Sequence, residues 1–267
     1  QIFQDRPSSQ FDIRVSPHLY MNKDYPEKMY EQIRDSRLLP QVKYVYSDLP
    51  FFLFPKVIED LTGKNYEEYL QKTFYRPLGA FTMTYNPYKH FPVSQIVPTE
   101  QDDLFRNELI RGFVHDEGAA MLGGVSGNAG LFSTANDLAK VMQMYLQNGS
   151  YGGQNYIRPA VLSEFTKVQY PERQNRRGLG FDKPYINNYL YRQQNAYPAP
   201  GASPESYGHG GFTGTFTWAD PKKKILFVFM TNRIHPSRDN LLLAKLNIRS
   251  GMLQAIYESI EKGLSNY

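Results

Sequence analysis

The sequence contains no cysteine and no long run of apolar residues. Without cysteine the chain can form no disulfide bond, no thiolate metal site and no cysteine nucleophile. No apolar stretch reaches the roughly 18 residues that a membrane-spanning helix requires, so we expect no membrane span. Residues 1–7 show neither an initiator methionine nor the charged-then-apolar pattern of a signal peptide. We therefore interpret the chain as the interior of a longer protein.

A strong charge of either sign is also absent, because the 267 residues carry a formal net charge of +4. The basic clusters at 173–177 and 222–224 are short and flanked by turn residues, and no stripe of lysine and arginine follows a helix. This pattern is typical of solvated loops, so we expect no nucleic-acid partner. A content of 41% hydrophobic and 21% charged residues indicates a globular chain that can bury a full core.

Helix signals are frequent between residues 27 and 167. Gly63 is placed to end one helix, and Asn65 with Glu68 three positions later resembles a capping box that begins the next. We predict irregular structure in the rest of residues 1–45 and a turn-rich stretch over 80–118. The predicted helices are 27–37, 52–61, one from Asn65 to near Gly79, one that Thr134 or Asn136 caps and Gly149 ends, and 159–167.

The last third of the chain carries the clearest strand signal. Residues 214–218 alternate in polarity, a turn follows at 220–223, and residues 225–230 form an apolar run typical of a strand buried on both faces. We predict a final helix over about 241–263. On its buried side we place Leu246, Met252, Leu253, Ile256 and Ile260.

These elements predict an α/β fold of the α+β kind, in which helices flank an antiparallel sheet. We expect one partial domain over 1–267. Its region from about 45 to 170 is mostly helical, and its region from about 171 to 267 contains the sheet and the C-terminal helix.

Two short motifs carry the chemistry. Tyr46-Ser47-Asp48 directly precedes the helix predicted over 52–61. His209-Gly210-Gly211-Phe212-Thr213-Gly214-Thr215 leads into the hairpin. Acyl transfer by a serine hydrolase needs a nucleophile, a base and donors for the developing oxyanion.

In that order and context, the two motifs resemble the penicillin-binding and class C β-lactamase family of serine hydrolases from about Tyr44 to the C-terminus. The resemblance implies a β-lactamase/transpeptidase-like fold. It also implies that Tyr46 is a general acid/base and that Asp48 orients the catalytic lysine or a substrate amide. His209 is expected to face the same cleft as Tyr46 and to polarise Tyr46 or the substrate. Gly211 and Phe212 form the implied oxyanion and cleft segment, in which the N–H of Phe212 is one oxyanion donor and the N–H of the missing serine is the other.

The match has two departures and one gap. Asp48 replaces the usual asparagine, and an ionised carboxylate cannot donate as an amide does. His209 replaces the usual lysine, and an imidazole is a weaker anchor for a substrate carboxylate at pH 7. The nucleophile motif Ser-x-x-Lys does not precede Tyr46, and its single occurrence, Ser259 to Lys262, lies in the final helix, downstream of both motifs. We expect the N-terminal part of the domain to be missing and the chain alone to be nearly inactive.

Other candidate sites are less consistent with the pattern. The glycine-rich segment 123–130 lacks a P-loop lysine, and we interpret its glycines as tight packing behind a cleft. Ser126 in that segment lacks the context of a nucleophile elbow. His115-Asp116-Glu117 resembles a metal site, but no second histidine lies at ligand spacing, so we interpret it as a locally hydrogen-bonded loop. We expect neither a cofactor nor a metal.

The resemblance is closest to a cell-wall amidase or esterase-like branch with the stretches at 123–134 and 231–236. It implies a bacterial, periplasmic or extracytoplasmic hydrolase of peptidoglycan-derived amides or small esters. Implied partners are a muropeptide or other small-molecule substrate, and a missing N-terminal segment or parent-chain domain such as a β-N-acetylglucosaminidase. The alternative is a non-catalytic domain that keeps the cleft and binds cell-wall fragments. A Ser-x-x-Lys upstream of Gln1 would favour the enzyme.

Overall fold

The computed structural model describes residues 1–40 and 44–264, and its contacts divide the chain into two units. The division into a mostly helical region and a sheet region at about residue 170 stays a prediction. Unit 1 comprises Gln1–Arg76, Phe81–Ser133 and Ile234–Arg238, and unit 2 comprises Pro77–Ala80, Thr134–Arg233 and Asp239–Tyr267.

Unit 1 mixes short strands with helices. Its strands are β1 (Phe3–Gln4), β2 (Phe11–Ser16), β3 (Leu19–Asn22), β4 (Thr84–Tyr85), β5 (Pro98–Asp102), β6 (Glu108–Arg111) and β7 (Leu131–Phe132). Its helices are α1 (Tyr25–Arg34), α2 (Leu49–Thr62), α3 (Tyr66–Leu70) and α4 (Glu117–Met121). All strand pairs in the unit are antiparallel: β1 and β2 flank β3, β4 pairs with β7, and β5 pairs with β6.

The N-terminal sheet corrects the prediction of irregular structure, since residues 3–22 form its three strands. Apolar residues alternate in β2, where Ile13 and Val15 face a core that also contains the fully buried Met21. This alternation is the period-2 signal of a half-buried strand. Residues 41–43 of the same predicted stretch lie outside the described residues.

The helix prediction around α2 and α3 is confirmed in its main features. Helix α2 ends at Gly63, which takes the left-handed conformation with φ of 65°. The Asn65 side chain accepts the N–H of Glu68 at 3.2 Å and so caps α3. Glu68 itself pairs with Lys72 rather than reaching back. A π-helical turn, Gln71–Tyr75, continues α3 towards the predicted end.

Unit 2 contains the longest described helix and a three-stranded sheet. Its helices are α5 (Ala135–Leu146), α6 (Pro159–Thr166), α7 (Leu242–Lys245) and α8 (Ile248–Leu264). Its strands are β8 (Ser150–Tyr151), β9 (Gln154–Asn155), β10 (Tyr207–Gly210), β11 (Phe216–Asp220) and β12 (Ile225–Phe229). Thr134 caps α5 by accepting the N–H of Asp137, as predicted.

The sheet of unit 2 has the order β10-β11-β12, is antiparallel throughout and is covered on both faces. On one face, Trp218 and Phe227 pack with Leu253 of α8. On the other face, Ala219 packs with Met142 of α5. The apolar run of β12 therefore has a packed environment on either side, and the predicted antiparallel sheet flanked by helices is confirmed. Truncation of the fully buried Leu253 to alanine would cost about 2–5 kcal/mol.

The predicted continuous helix over 241–263 is wrong, because Asn247 adopts the left-handed conformation with φ of 49° between α7 and α8. The break resets the helical phase, so Leu246 does not lie on the same face as Leu253 and is 65% exposed. Met252 and Ile260 lie within α8 but off its buried face, at 46% and 38% exposed, so the predicted burial of all three residues is corrected.

The buried face of α8 is instead formed by Ser250, Leu253 and Tyr257, which recur at helical spacing. Ile256 packs against the same cluster at its edge, so Leu253 and Ile256 were predicted correctly. The Tyr257 hydroxyl donates to Asp220 of β11 at 3.0 Å, which ties the helix to the sheet.

Candidate functional site

The Tyr46 motif lies at the N-terminal end of α2 in unit 1. Asp48 is the N-cap residue, and its carbonyl accepts the N–H of Phe51 at 2.9 Å. The Ser47 hydroxyl accepts the N–H of Leu49 at 3.2 Å, and the Tyr46 side chain is 56% exposed. A helix N-terminus carries partial positive charge, which stabilises an ionised carboxylate at Asp48. An aspartate at position 48, where the motif usually has asparagine, is therefore compatible with the positive end of the helix dipole.

Glycines hold the first turns of α2 close to the rest of unit 1. A Cβ atom on Gly127 would lie 2.5 Å from the Phe51 carbonyl oxygen, and one on Gly118 would lie 2.7 Å from the Phe52 ring. At Gly127 the close neighbour is backbone, which is the usual reason for glycine at such an approach. The tight packing predicted for the glycine-rich segment is confirmed at Gly127, where it holds the end of α2 that carries the motif, and its place behind a cleft stays a prediction.

The His209 motif lies on β10, the edge strand of the unit 2 sheet. His209 pairs with Thr217 of β11, and the strand continues into a tight turn that we call the motif loop, residues 211–215. The N–H of Gly211 donates to the Thr215 carbonyl at 2.8 Å and closes this loop. Gly214 has a φ of 124°, and a Cβ atom there would lie 2.6 Å from the Thr231 hydroxyl, so only glycine fits.

Two arginines bind the carbonyl groups of the motif loop. Arg249 of α8 donates to the carbonyls of Gly211 and Gly214, each at 3.1 Å. Arg233 donates to the Phe212 carbonyl at 2.9 Å, and its guanidinium lies 4.5 Å from the centre of the Phe212 ring. Hydrogen bonds from charged donors are stronger than neutral ones, so these contacts fix the backbone of the loop.

This arrangement determines where the Phe212 N–H points. In a trans peptide the C=O and the following N–H point in opposite directions. Because Arg249 holds the Gly211 carbonyl, the Phe212 N–H is directed away from Arg249. Such a preorganised donor has the properties that an oxyanion site requires.

His209 is held by a third arginine of unit 2. Arg177 Nη2 lies 2.7 Å from His209 Nε2, and His209 Nδ1 lies 2.9 Å from the Gly210 carbonyl oxygen. The other end of the same guanidinium donates to Asp182 at 2.6 Å. Arg177 lies in the basic cluster 173–177 that we interpreted as a solvated loop; its side chain is only 16% exposed, which corrects that interpretation. No sequence pattern marked Arg249. Arg233 lies within the stretch 231–236 that was noted for its resemblance, but no pattern marked it as a support of the motif loop.

The remaining serine candidates have structural partners. Ser259 lies on the exposed side of α8 and donates to the Ala255 carbonyl one turn earlier, at 2.7 Å. Ser126 is 1% exposed, and its hydroxyl bonds to Asn128 at 2.6 Å. Neither position has the setting of an activated nucleophile.

The His115-Asp116-Glu117 segment is engaged in hydrogen bonds and ion pairs of unit 1. The predicted locally bonded loop is only partly correct, because Glu117 begins α4 and the segment also pairs with the distant Arg238. His115 Nε2 lies 2.9 Å from Glu100, and burial lowers the pKa of its imidazole although Glu100 opposes this. Asp116 caps α4, and Glu117 pairs with Arg238 at 3.0 Å. Among the described residues, no group of three possible ligands could hold a metal ion.

Tyr46 and Asp48 belong to unit 1, whereas His209, Gly211 and Phe212 belong to unit 2. That Tyr46 and His209 face one cleft, and the roles assigned to these five residues, therefore stay predictions. Across residues 1–40 and 44–264, no helix is both long and apolar enough to cross a membrane.

Comparison with known proteins decides the family. The sequence matches the beta-lactamase family profile over residues 8–249. The chain belongs to the beta-lactamase family. The resemblance inferred from the two motifs is confirmed, and the matched region begins at residue 8 rather than at about Tyr44.

Relatives of this beta-lactamase family chain include bacterial proteins with a peptidase name. It is 33% identical over 260 residues to a protein of Salmonella gallinarum that is provisionally named D-alanyl-D-alanine carboxypeptidase. A Salmonella newport protein of the same name is 33% identical over 262 residues. Each alignment covers 88% of this chain and 58% of the relative, so the chain spans little more than half the length of the relatives it matches.

Solved structures show the same fold. A simvastatin synthase variant from Aspergillus terreus superposes with a TM-score of 0.58 at 17% identity, over 90% of this chain and 61% of that one. A penicillin-binding protein homologue from Caulobacter crescentus gives a TM-score of 0.53 at 16% identity, over 78% and 58%. At such identities the likeness concerns the fold alone, and it confirms the predicted fold class.

Proposed function

We propose that this beta-lactamase family chain contributes the Tyr46 and His209 motifs to a serine hydrolase of peptidoglycan-derived amides or small esters. The observation that carries the proposal is the motif loop, in which Arg249 and Arg233 fix the backbone so that the Phe212 N–H forms a preorganised donor. A preorganised backbone donor is what acyl transfer demands and what a purely structural turn does not need. The names of the Salmonella relatives support a D-alanyl peptide as substrate.

In the proposed reaction a serine hydroxyl attacks the carbonyl carbon of the substrate, and its proton passes to the base formed by a lysine and Tyr46. The oxygen that becomes negative accepts the Phe212 N–H, which stabilises the transition state. Collapse of the tetrahedral intermediate breaks the C–N or C–O bond, and the leaving group takes up the proton. Water then attacks the acyl-serine by the reverse sequence and releases the acid.

The serine and the lysine of this scheme are proposed to lie outside residues 1–267. The chain has one Ser-x-x-Lys, and its Ser259 lies on the exposed side of α8 with a helical backbone partner. On its own the chain is therefore proposed to be nearly inactive. Loss of the nucleophile in a serine protease lowers kcat by about 10⁶-fold.

The proposal is tested by comparing the full-length protein with the isolated chain. Hydrolysis of a D-alanyl-D-alanine peptide, a muropeptide amide and a p-nitrophenyl ester is measured for both. We expect turnover by the full-length protein and at least about 10⁴-fold less by the chain. Full-length protein that binds these ligands without cleaving any of them would favour the alternative, a non-catalytic cell-wall-binding domain.

A further polypeptide segment is proposed to cover one side of unit 2. Within the described residues β12 pairs with β11 alone, so its second edge is open. Met230, which directly follows β12, is 38% exposed, and Met252 of α8 is 46% exposed. Open edges and exposed apolar residues are features that native proteins usually cover. In the full-length protein, oxidation of Met252 by peroxide should be slow. Oxidation as fast as that of a free methionine peptide would contradict the proposed cover. We also propose, as part of the hydrolase function, that the full-length protein is located outside the cytoplasm.

A further inference from the structure

Both nitrogens of the His209 ring have partners in unit 2. Nε2 lies 2.7 Å from Arg177 Nη2, and Nδ1 lies 2.9 Å from the Gly210 carbonyl oxygen. A guanidinium has only donors, and a carbonyl oxygen only accepts. Nε2 must therefore be the acceptor and Nδ1 the donor. These two contacts define a neutral imidazole that carries its proton on Nδ1.

The position of Arg177 is fixed by the chain around Asp182. Arg177 Nη1 donates to Asp182 Oδ1 at 2.6 Å, and the Tyr197 hydroxyl donates to the second carboxylate oxygen at 2.6 Å. The backbone of Asp182 exchanges two hydrogen bonds with Gly208, the residue before His209 on β10. The Arg177 and Asp182 side chains are 16% and 8% exposed. The guanidinium is thus held against the edge strand by an anchored carboxylate.

The charge of this cluster is positive. Arg176 also approaches Asp182, with Nη1 at 3.3 Å from Oδ1, and its guanidinium lies 4.3 Å from the centre of the Tyr197 ring. Burial and the neighbouring Asp182 raise the pKa of Tyr197, so its hydroxyl stays neutral. Two guanidinium groups share one carboxylate, which leaves one positive charge beside His209.

We propose that Arg177 is a positioning and specificity-determining residue, which fixes His209 in its Nδ1–H form and supplies the positive charge that favours a substrate with a free carboxylate. The inference rests on the proposed function, since it assigns a role in that same site. A neutral His209 alone would provide no net charge. His209 stands where the motif usually has a lysine. Because Arg177 contacts His209, the positive charge that the lysine would carry is still present, on a neighbouring side chain.

Ligand binding to the full-length protein tests this role. N-acetyl-D-alanyl-D-alanine and its C-terminal amide are compared by calorimetry, because they differ only in the carboxylate. We expect the wild type to prefer the acid. The substitution Arg177→Gln should raise the Kd of the acid about 10- to 100-fold, the range of a charge-assisted hydrogen bond, and that of the amide less than about 3-fold. The exposed Arg173, in the same basic cluster, provides the control variant Arg173→Gln, which should change neither.

A measurement on the wild type keeps the test independent of folding of the variant. The ¹⁵N chemical shifts of His209, assigned with His209→Gln, should show the proton on Nδ1. Three results would overturn the inference: a proton on Nε2, an equal rise in the Kd of the acid and of the amide in Arg177→Gln, or a wild type that does not prefer the acid. Preference for the acid without any turnover would support Arg177 in this role and contradict the proposed hydrolase activity instead.

Discussion

Replacement of Asp102 by asparagine should destabilise the protein in a way that depends on pH. Asp102 and Arg106 are fully buried, and Arg106 Nε lies 2.6 Å from Asp102 Oδ2. The N–H groups of Leu104 and Phe105 donate to the other oxygen at 3.0 and 2.9 Å. The change to asparagine keeps the shape of the side chain but leaves a buried guanidinium without its anion. Loss of one partner of a buried ion pair costs about 3–5 kcal/mol, which we expect at pH 7.

The pH dependence follows from the carboxyl group itself. Burial alone would raise the pKa of Asp102, but Arg106 and the two backbone N–H groups outweigh it and lower the pKa from 3.8 to about 2. The difference between these values corresponds to about 2 kcal/mol in the free energy of unfolding. Because the pKa is lowered in the folded state, this contribution is present above about pH 4 and is lost as the pH falls through 2.

Denaturant unfolding of the wild type and Asp102→Asn between pH 7 and pH 2 measures this contribution. The difference in the free energy of unfolding between the two proteins should shrink by about 2 kcal/mol between pH 5 and pH 2. The control is Asp35→Asn, because Asp35 forms an ion pair with Arg34 in which both side chains are about 70% exposed. Such a pair contributes about 0–1 kcal/mol at most. A difference for Asp102→Asn that stays constant over this pH range would refute the reasoning.

Two further substitutions probe the motif loop and the attachment of α8. In the full-length protein, Arg249→Gln should lower kcat by about 10-fold or more because the carbonyls of the motif loop lose their charged donor, and KM should change less. An unchanged kcat, or an equal loss in the exposed control Lys245→Gln, would contradict this. Tyr257→Phe removes the buried hydroxyl that donates to Asp220 and should cost about 1–3 kcal/mol in urea unfolding. The matched change at Tyr189, which is 72% exposed, should cost almost nothing.

Local signals in the sequence predicted much of the fold. The caps at Gly63, Asn65 and Thr134 depend on one or two neighbouring residues, and the structure has all three. The break at Asn247 was not predictable in the same way, because a single left-handed residue leaves the apolar pattern on both sides intact. Because of this break, Leu246 was predicted to be buried although it is exposed.

The candidate site was predictable only where residues follow one another in the chain. The Tyr46 and His209 motifs could be found because each is contiguous and precedes a recognisable helix or hairpin. Arg177 and Arg249 reach the second motif from positions far away in the sequence, and only folding brings them to it. Nothing in their immediate neighbours distinguishes them from solvated arginines, so their roles required the structure.

The central claim is that this chain supplies part of a serine hydrolase site whose nucleophile lies elsewhere in the protein. The most direct test is to label the full-length protein with a fluorophosphonate or a fluorescent penicillin and to identify the modified residue by peptide mass spectrometry. We expect one labelled serine, in a Ser-x-x-Lys sequence outside residues 1–267, and slower labelling in Tyr46→Phe. A labelled serine within residues 1–267, at Ser126 or Ser259 for example, would contradict it.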